Sequence, residues 1–64
     1  MNDNVDFAVA IDVVNRKIAE LNIKISLNNN EELNEELDKY LKVKQEIFDG
    51  NSSLVKKIID GEII

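Results

Sequence analysis

The stretch FAVAIDVVNRKIAELNIKISL, residues 7–27, decides the fold of this 64-residue chain. Its apolar residues recur at alternating steps of four and three. That spacing is typical of one stripe along a helix and of the a/d seam of a left-handed coiled coil. The sequence therefore predicts one long amphipathic helix over residues 5–27. The residues of its stripe are Phe7, Ile11, Val14, Ile18, Leu21 and Ile25.

The first half of this helix is apolar well beyond the stripe. Between Phe7 and Val14 the only polar residue is Asp12. A helix that is apolar on several sides is normally covered on several sides, and a chain this short offers little material to cover it. We therefore expect two copies to associate through this helix and to form a helical bundle.

The rest of the chain is also predicted to be helical, because it contains no proline and only two glycines. Three asparagines at 28–30 separate the first helix from a second one over 31–49, and a short third helix covers 52–60. Since the first connection is short, its two helices are expected to be antiparallel neighbours. The predicted fold class is all-α: an antiparallel helical hairpin plus a short third helix, in a single domain over residues 1–64.

Polar residues and glycines mark the predicted helix ends. Asn29 followed by Glu32 has the spacing of a capping box at the start of the second helix. Asn51 or Ser52 is expected to cap the third helix. The two glycines follow the second and third helices, where a left-handed cap is expected. The apolar tail, 62–64, is expected either to pack back on the bundle or to meet a partner chain.

Composition limits the classes of function. A net charge of −5 argues against binding nucleic acid through its phosphates and against an anionic membrane surface. The chain has no cysteine and no histidine, so we expect no disulfide, no metal site and no cofactor. No apolar run approaches the roughly 18 residues of a membrane span. The N-terminus lacks the basic residues of a secretory signal, so we expect a cytoplasmic protein.

The sequence contains no conventional catalytic constellation. There is no histidine base, no cysteine nucleophile and no glycine-rich phosphate loop. Ser26, Ser52 and Ser53 have no base to activate them. The densest row of carboxylates, within 31–38, is typical of a solvated helix start, and a di-iron centre there would need histidine. We therefore predict that the protein is not an enzyme.

One short motif supports an alternative. NEELDKYL, residues 34–41, resembles the serine-glutamine-glutamate-leucine-aspartate motif of the small aspartyl-phosphate phosphatases that regulate sporulation. Those proteins are short acidic helical hairpins, and their motif aspartate engages the phosphorylated site of a response regulator. The resemblance implies that role for Asp38, with Glu36 and Leu37 also matching. The first two motif positions differ, being Asn and Glu here, and the helix connection is shorter.

The favoured prediction is a small non-enzymatic protein–protein interaction module, a helical homodimer that binds another protein by helix-on-helix contact. One alternative is an acidic inhibitor or decoy, of the phage type, directed at a basic host enzyme. A second is an aspartyl-phosphate phosphatase-like regulator of a response regulator. Tyr40 and Phe48 are either interface anchors or core residues of the helix seam. The predicted interface residues are Phe7, Val9, Ala10, Ile11, Val13, Val14, Ile18, Tyr40 and Phe48.

Overall fold

The long apolar stretch belongs to one continuous helix. The computed structural model of the protein describes residues 3–63, and helix α1 spans Asp3–Leu27. Helix α2 spans Glu31–Phe48, and helix α3 spans Ser52–Ile59. There is no strand among the described residues, so the predicted all-α class is confirmed.

The connection between α1 and α2 ends at a side-chain cap. Asn30 has an extended backbone, and its side chain accepts a hydrogen bond from the Leu33 N–H at 3.0 Å. Asn29 accepts instead from the side-chain amide of Asn34, at 2.8 Å. The capping box expected for Asn29 and Glu32 is therefore wrong, because α2 begins one residue later than that spacing requires.

The turn between α2 and α3 depends on a glycine and an asparagine. Gly50 has φ of +97° and Gly61 has φ of +78°, so both adopt the left-handed conformation that the sequence predicts. The Asn51 side chain accepts from the Leu54 N–H at 3.1 Å. Asn51, rather than Ser52, is therefore the N-cap of α3.

All three helices contribute to one core. Helix α1 packs against both α2 and α3, and α2 also contacts α3. The result is an elongated body of 42 × 18 × 15 Å. Half-buried apolar residues from every helix pack around its centre. The buried centre consists of Ala10, Val14, Leu21, Tyr40, Val43, Ile47 and Ile58.

The surplus of apolar residues at the start of α1 is largely covered within one chain. Ala10 and Val14 are fully buried, and Ile11 and Val13 are half-buried against the core. The reason is that two helices, not one, pack against α1. The expectation that a chain of this length has little to cover α1 with is therefore too strong, and much less apolar surface is left for a partner.

The apolar tail turns back onto the protein. The Glu62 N–H donates to the Lys57 carbonyl at 2.9 Å, which closes the turn after α3. Ile63 is half-buried and packs against the core. Ile63 therefore packs back on the bundle, which is one of the two positions expected for the tail. Ile64 lies outside the described residues.

Candidate functional site

Three of the predicted interface residues lie in the core. Ala10 and Val14 are completely buried, and Tyr40 is 6 % exposed. In the single chain these three are therefore core residues, as the sequence allowed for Tyr40. Their part in an interface is a prediction that burial in the single chain disfavours.

The other six predicted interface residues keep some accessible surface. Ile11, Val13 and Ile18 are half-buried and pack against the core. The three exposed members are Phe7 at 37 %, Val9 at 44 % and Phe48 at 56 %. The interface itself stays a prediction, and these three exposed side chains are the members best placed to take part in it.

Phe7 and Phe48 contact each other. Their ring centroids are 5.6 Å apart and the ring planes meet at 69°, an edge-to-face arrangement. This geometry is favoured because the positive edge of one ring faces the negative face of the other. The contact joins the beginning of α1 to the last residue of α2 and leaves part of each ring open to solvent.

An apolar groove of about 960 Å³ lies beside Phe7. Its apolar lining comes from all three helices: Phe7 of α1, Ile47 of α2, and Val55 and Ile59 of α3. Gly50 of the α2–α3 turn and the serines at the start of α3, Ser52 and Ser53, complete the wall. Its charged residues are Asp6, Lys56 and Asp60. Apolar lining with a few polar groups at the edge is typical of clefts that accept an apolar side chain.

A second apolar surface lies on the side of α1 that faces away from the core. Val5, Val9, Ile23 and Leu27 are exposed by 52 %, 44 %, 62 % and 81 %. From Val5 to Ile23, six residues follow one another at alternating steps of four and three, which places them in one row along the helix. We call this row the outer stripe. Its members are Val5, Val9, Asp12, Arg16, Ala19 and Ile23.

The centre of the outer stripe is charged. The Arg16 Nε atom lies 3.0 Å from Asp12 Oδ2, which is the i, i+4 ion pair that the helical spacing allows. Both side chains are well exposed, Arg16 by 80 % and Asp12 by 60 %. The sequence predicts Val9 as an interface residue, but the prediction did not extend along the helix to Ile23, although the same periodicity marks the seam and the outer stripe.

A carboxylate next to the stripe is held in its charged form. Glu20 Oε1 lies 3.0 Å from the Lys24 ammonium and 3.8 Å from that of Lys17. The hydrogen bond from Lys24, and then the positive charges of Lys17 and Lys24, lower the pKa of the Glu20 carboxyl. Lys17 also lies 6.0 Å from the centre of the Tyr40 ring. Through Lys17 and Tyr40, this charged cluster of α1 contacts α2.

The motif that resembles the phosphatases lies in the first half of α2. Asp38 is exposed and lines a shallow depression of about 480 Å³ together with Lys39 and Lys42. Leu37 packs against the core instead. The side chain of Asn34, which replaces the motif serine, donates to the Asn29 side chain and to the Asn30 carbonyl and so attaches α2 to the preceding turn. Asp38 is therefore accessible, whereas Leu37 and Asn34 have structural roles.

Residues 3–63 contain neither a membrane-spanning helix nor a cluster of metal ligands. No helix in that range is both long enough and apolar enough to cross a membrane. No group of three or more histidine, cysteine, aspartate or glutamate side chains there is placed to hold a metal ion. Comparisons with protein-family models, with curated proteins and with solved structures find no match to this chain.

Proposed function

We propose that this protein is a small, non-enzymatic interaction module that forms a homodimer through α1 and binds another protein in the groove beside Phe7. One observation supports the homodimer most. Among the described residues, five of the eight large apolar side chains that stay exposed lie on α1. Each 100 Å² of apolar surface removed from water contributes about 2.5 kcal/mol. For a domain this small, whose core rarely exceeds about 3 to 5 kcal/mol, that contribution matters.

The finer architecture is part of the proposal. We infer an antiparallel hairpin of α1 and α2, with α3 folded across one end. Phe7, early in α1, contacts Phe48 at the end of α2, while Lys17 lies near Tyr40, further towards the start of α2. As the residue number rises along α1, the number of the residue that it contacts on α2 falls. This order is the one expected for two antiparallel helices. Two such hairpins would associate as a helical bundle.

The groove fits an amphipathic helix of another protein. Recognition of this kind places apolar anchors of one helix into a cleft between other helices. The four apolar residues of the groove supply such a cleft, and Lys56 and the two aspartates of its lining supply polar contacts. A cytoplasmic location belongs to the same proposal, since a chain without cysteine suits a reducing compartment.

Sedimentation equilibrium tests the homodimer. We expect a dimer at micromolar concentration, and a monomer for Val9→Asp, because an aspartate at this exposed position of α1 places an unpaired charge in the interface. The matched control is Leu41→Asp, a similarly exposed position of α2, which should remain dimeric. Circular dichroism shows whether both variants stay helical. A helical, unmodified protein that is monomeric up to millimolar concentration would contradict the proposal.

A second candidate function follows from the accessible Asp38. As a phosphatase-like regulator, the protein would present this carboxylate to the phosphorylated aspartate of a response regulator. Asp38→Ala should then abolish dephosphorylation while the helices stay folded, and Asp49→Ala, which removes another exposed aspartate, should not. A lack of phosphatase activity in the unmodified protein would end this candidate.

The third candidate, an acidic inhibitor or decoy, is supported by the start of α2. Its four glutamates, Glu31, Glu32, Glu35 and Glu36, are all exposed. Such a protein would bind a basic enzyme, and the affinity would fall steeply with salt because exposed charges are screened. A complex whose affinity does not change with ionic strength would exclude it.

A further inference from the structure

We propose that the homodimer forms by antiparallel packing of the outer stripes of two α1 helices, in the register that places Asp12 opposite the partner's Arg16. This inference rests on the proposed homodimer and names its face, its orientation and its register. Three properties of the outer stripe support it: the spacing of its residues, their exposure and the order of its charges.

The spacing of the outer stripe is that of a coiled coil. Its steps are four, three, four, three and four, from Val5 to Ile23. This heptad spacing alternates between a and d positions, with Val9, Arg16 and Ile23 in one class and Val5, Asp12 and Ala19 in the other. A helix with this repeat can pack side by side with a copy of itself along the whole stripe.

Antiparallel pairing then selects one register. In an antiparallel pair of helices, a residue of the a class faces one of the d class. Centring the two-fold axis between Asp12 and Arg16 pairs Val5 with the partner's Ile23 and Val9 with the partner's Ala19. It also pairs Asp12 with the partner's Arg16, and the symmetry makes every pair twice. Apolar residues therefore meet apolar residues at both ends, and opposite charges meet at the centre.

The charges distinguish this orientation from the parallel one. A parallel pair in register would place Asp12 against the partner's Asp12 and Arg16 against the partner's Arg16, which is repulsive. The antiparallel pair joins the two existing ion pairs, each with a 3.0 Å contact within its own helix, into one group of four charges. Exposed pairs of this kind add little affinity but choose between orientations, because wrong juxtapositions are penalised.

The two ends of the outer stripe provide the apolar surface that the dimer would bury. Val5, Val9 and Ile23 are all exposed by more than 40 % in the single chain. The small side chain of Ala19 lets the helices approach closely opposite the partner's Val9. Nothing in the described part of the chain covers these three side chains. A second copy would therefore bury apolar surface that is open to water in the single chain.

Charge reversal tests the register. Arg16→Glu should weaken the homodimer about tenfold or more, because Asp12 then faces the partner's introduced glutamate twice. Asp12→Lys should do the same for the opposite reason. An equimolar mixture of the two variants should dimerise again, since the introduced lysine then faces the introduced glutamate and the remaining Asp12 faces the remaining Arg16. Lys42→Glu and Glu46→Lys reverse charges at exposed positions of α2 and should leave dimerisation unchanged.

Engineered cysteines test the orientation, since the chain has no cysteine of its own. A mixture of Val9→Cys and Ala19→Cys should form a mixed disulfide rapidly, because the antiparallel register brings these two positions together. Val9→Cys alone should oxidise slowly. Fast cross-linking of Val9→Cys to itself would overturn the antiparallel orientation.

The possible failures can be told apart. If the unmodified protein is monomeric at every concentration, the proposed homodimer is wrong and this inference falls with it. If the protein is dimeric but Arg16→Glu and Asp12→Lys dimerise normally, the homodimer stands and the outer stripe is not its interface. Circular dichroism shows that a weakened variant is still folded, which the exposure of both charged side chains leads us to expect.

Discussion

The rings of Phe7 and Phe48 meet edge to face at 5.6 Å, so the beginning of α1 is attached to the last residue of α2. Both rings keep substantial exposure, 37 % and 56 %. Their contact therefore stabilises the end of the helix pair, while their remaining surface stays available. An exposed aromatic side chain here has a structural role as well as any role in binding.

This contact should be measurable as a coupling energy. Replacing Phe7 and Phe48 by leucine, singly and together, should give a double-mutant coupling of about 0.5 to 1.5 kcal/mol, the range for edge-to-face pairs. The measurement is urea unfolding followed by circular dichroism. A cycle of Phe7→Leu with Leu41→Ala, at an exposed position of α2, serves as a control and should show no coupling. Additive effects for the phenylalanine pair would show that the rings do not interact in solution.

Leu21 should be far more sensitive than Leu27 to loss of its side chain. Leu21 is completely buried, whereas Leu27 is 81 % exposed. Leu21→Ala should cost about 2 to 5 kcal/mol, comparable with the whole stability of so small a domain. Leu27→Ala should change it by less than about 0.5 kcal/mol. Thermal unfolding of both variants checks this, and equal effects would contradict the observed core.

The helix caps predict a contrast among the three consecutive asparagines. Asn30→Ala should destabilise the protein by about 1 kcal/mol, because the Leu33 N–H loses its acceptor. Asn28→Ala removes no side-chain hydrogen bond found among the described residues and should be close to neutral. Urea unfolding distinguishes the two. A larger effect at Asn28 than at Asn30 would show that the helix begins elsewhere.

The Glu20 carboxyl should titrate below an ordinary glutamate. Its pKa is lowered by the hydrogen bond from Lys24 and by the nearby charge of Lys17. A group whose pKa is lower in the folded state stabilises that state above the pKa of the unfolded chain, about 4.3 for glutamate. This contribution is lost as the pH falls through the lower folded value.

NMR titration of the Glu20 side chain measures the shift directly. Lys24→Met should raise the pKa of Glu20 towards its ordinary value, because the main cause of the shift is removed. Lys57→Met, which removes an exposed lysine of α3, is the matched control and should leave the pKa of Glu20 unchanged. The same pKa in the unmodified protein and in Lys24→Met would show that the 3.0 Å ion pair does not persist in solution.

Most of the helical structure could be predicted from local chemistry. The left-handed conformation of Gly50 follows from its position after an amphipathic segment, since glycine adopts it without steric cost. The choice of Asn30 rather than Asn29 as cap could not be predicted, because consecutive asparagines offer equivalent side chains and only the direction of the chain decides between them. The burial of Ala10 was also beyond prediction, because an alanine fits a core and a surface equally well.

The sequence by itself determined that this chain is helical and where its breaks fall, because the spacing of apolar residues and the residues that end a helix act over a few neighbouring positions. The tertiary structure alone decided which apolar residues of α1 are covered. Ala10 and Val14 are covered because α2 and α3 both pack on α1, while Val9 and Ile23 face away from them. Burial depends on which distant segments arrive at a surface, and no local pattern contains that information.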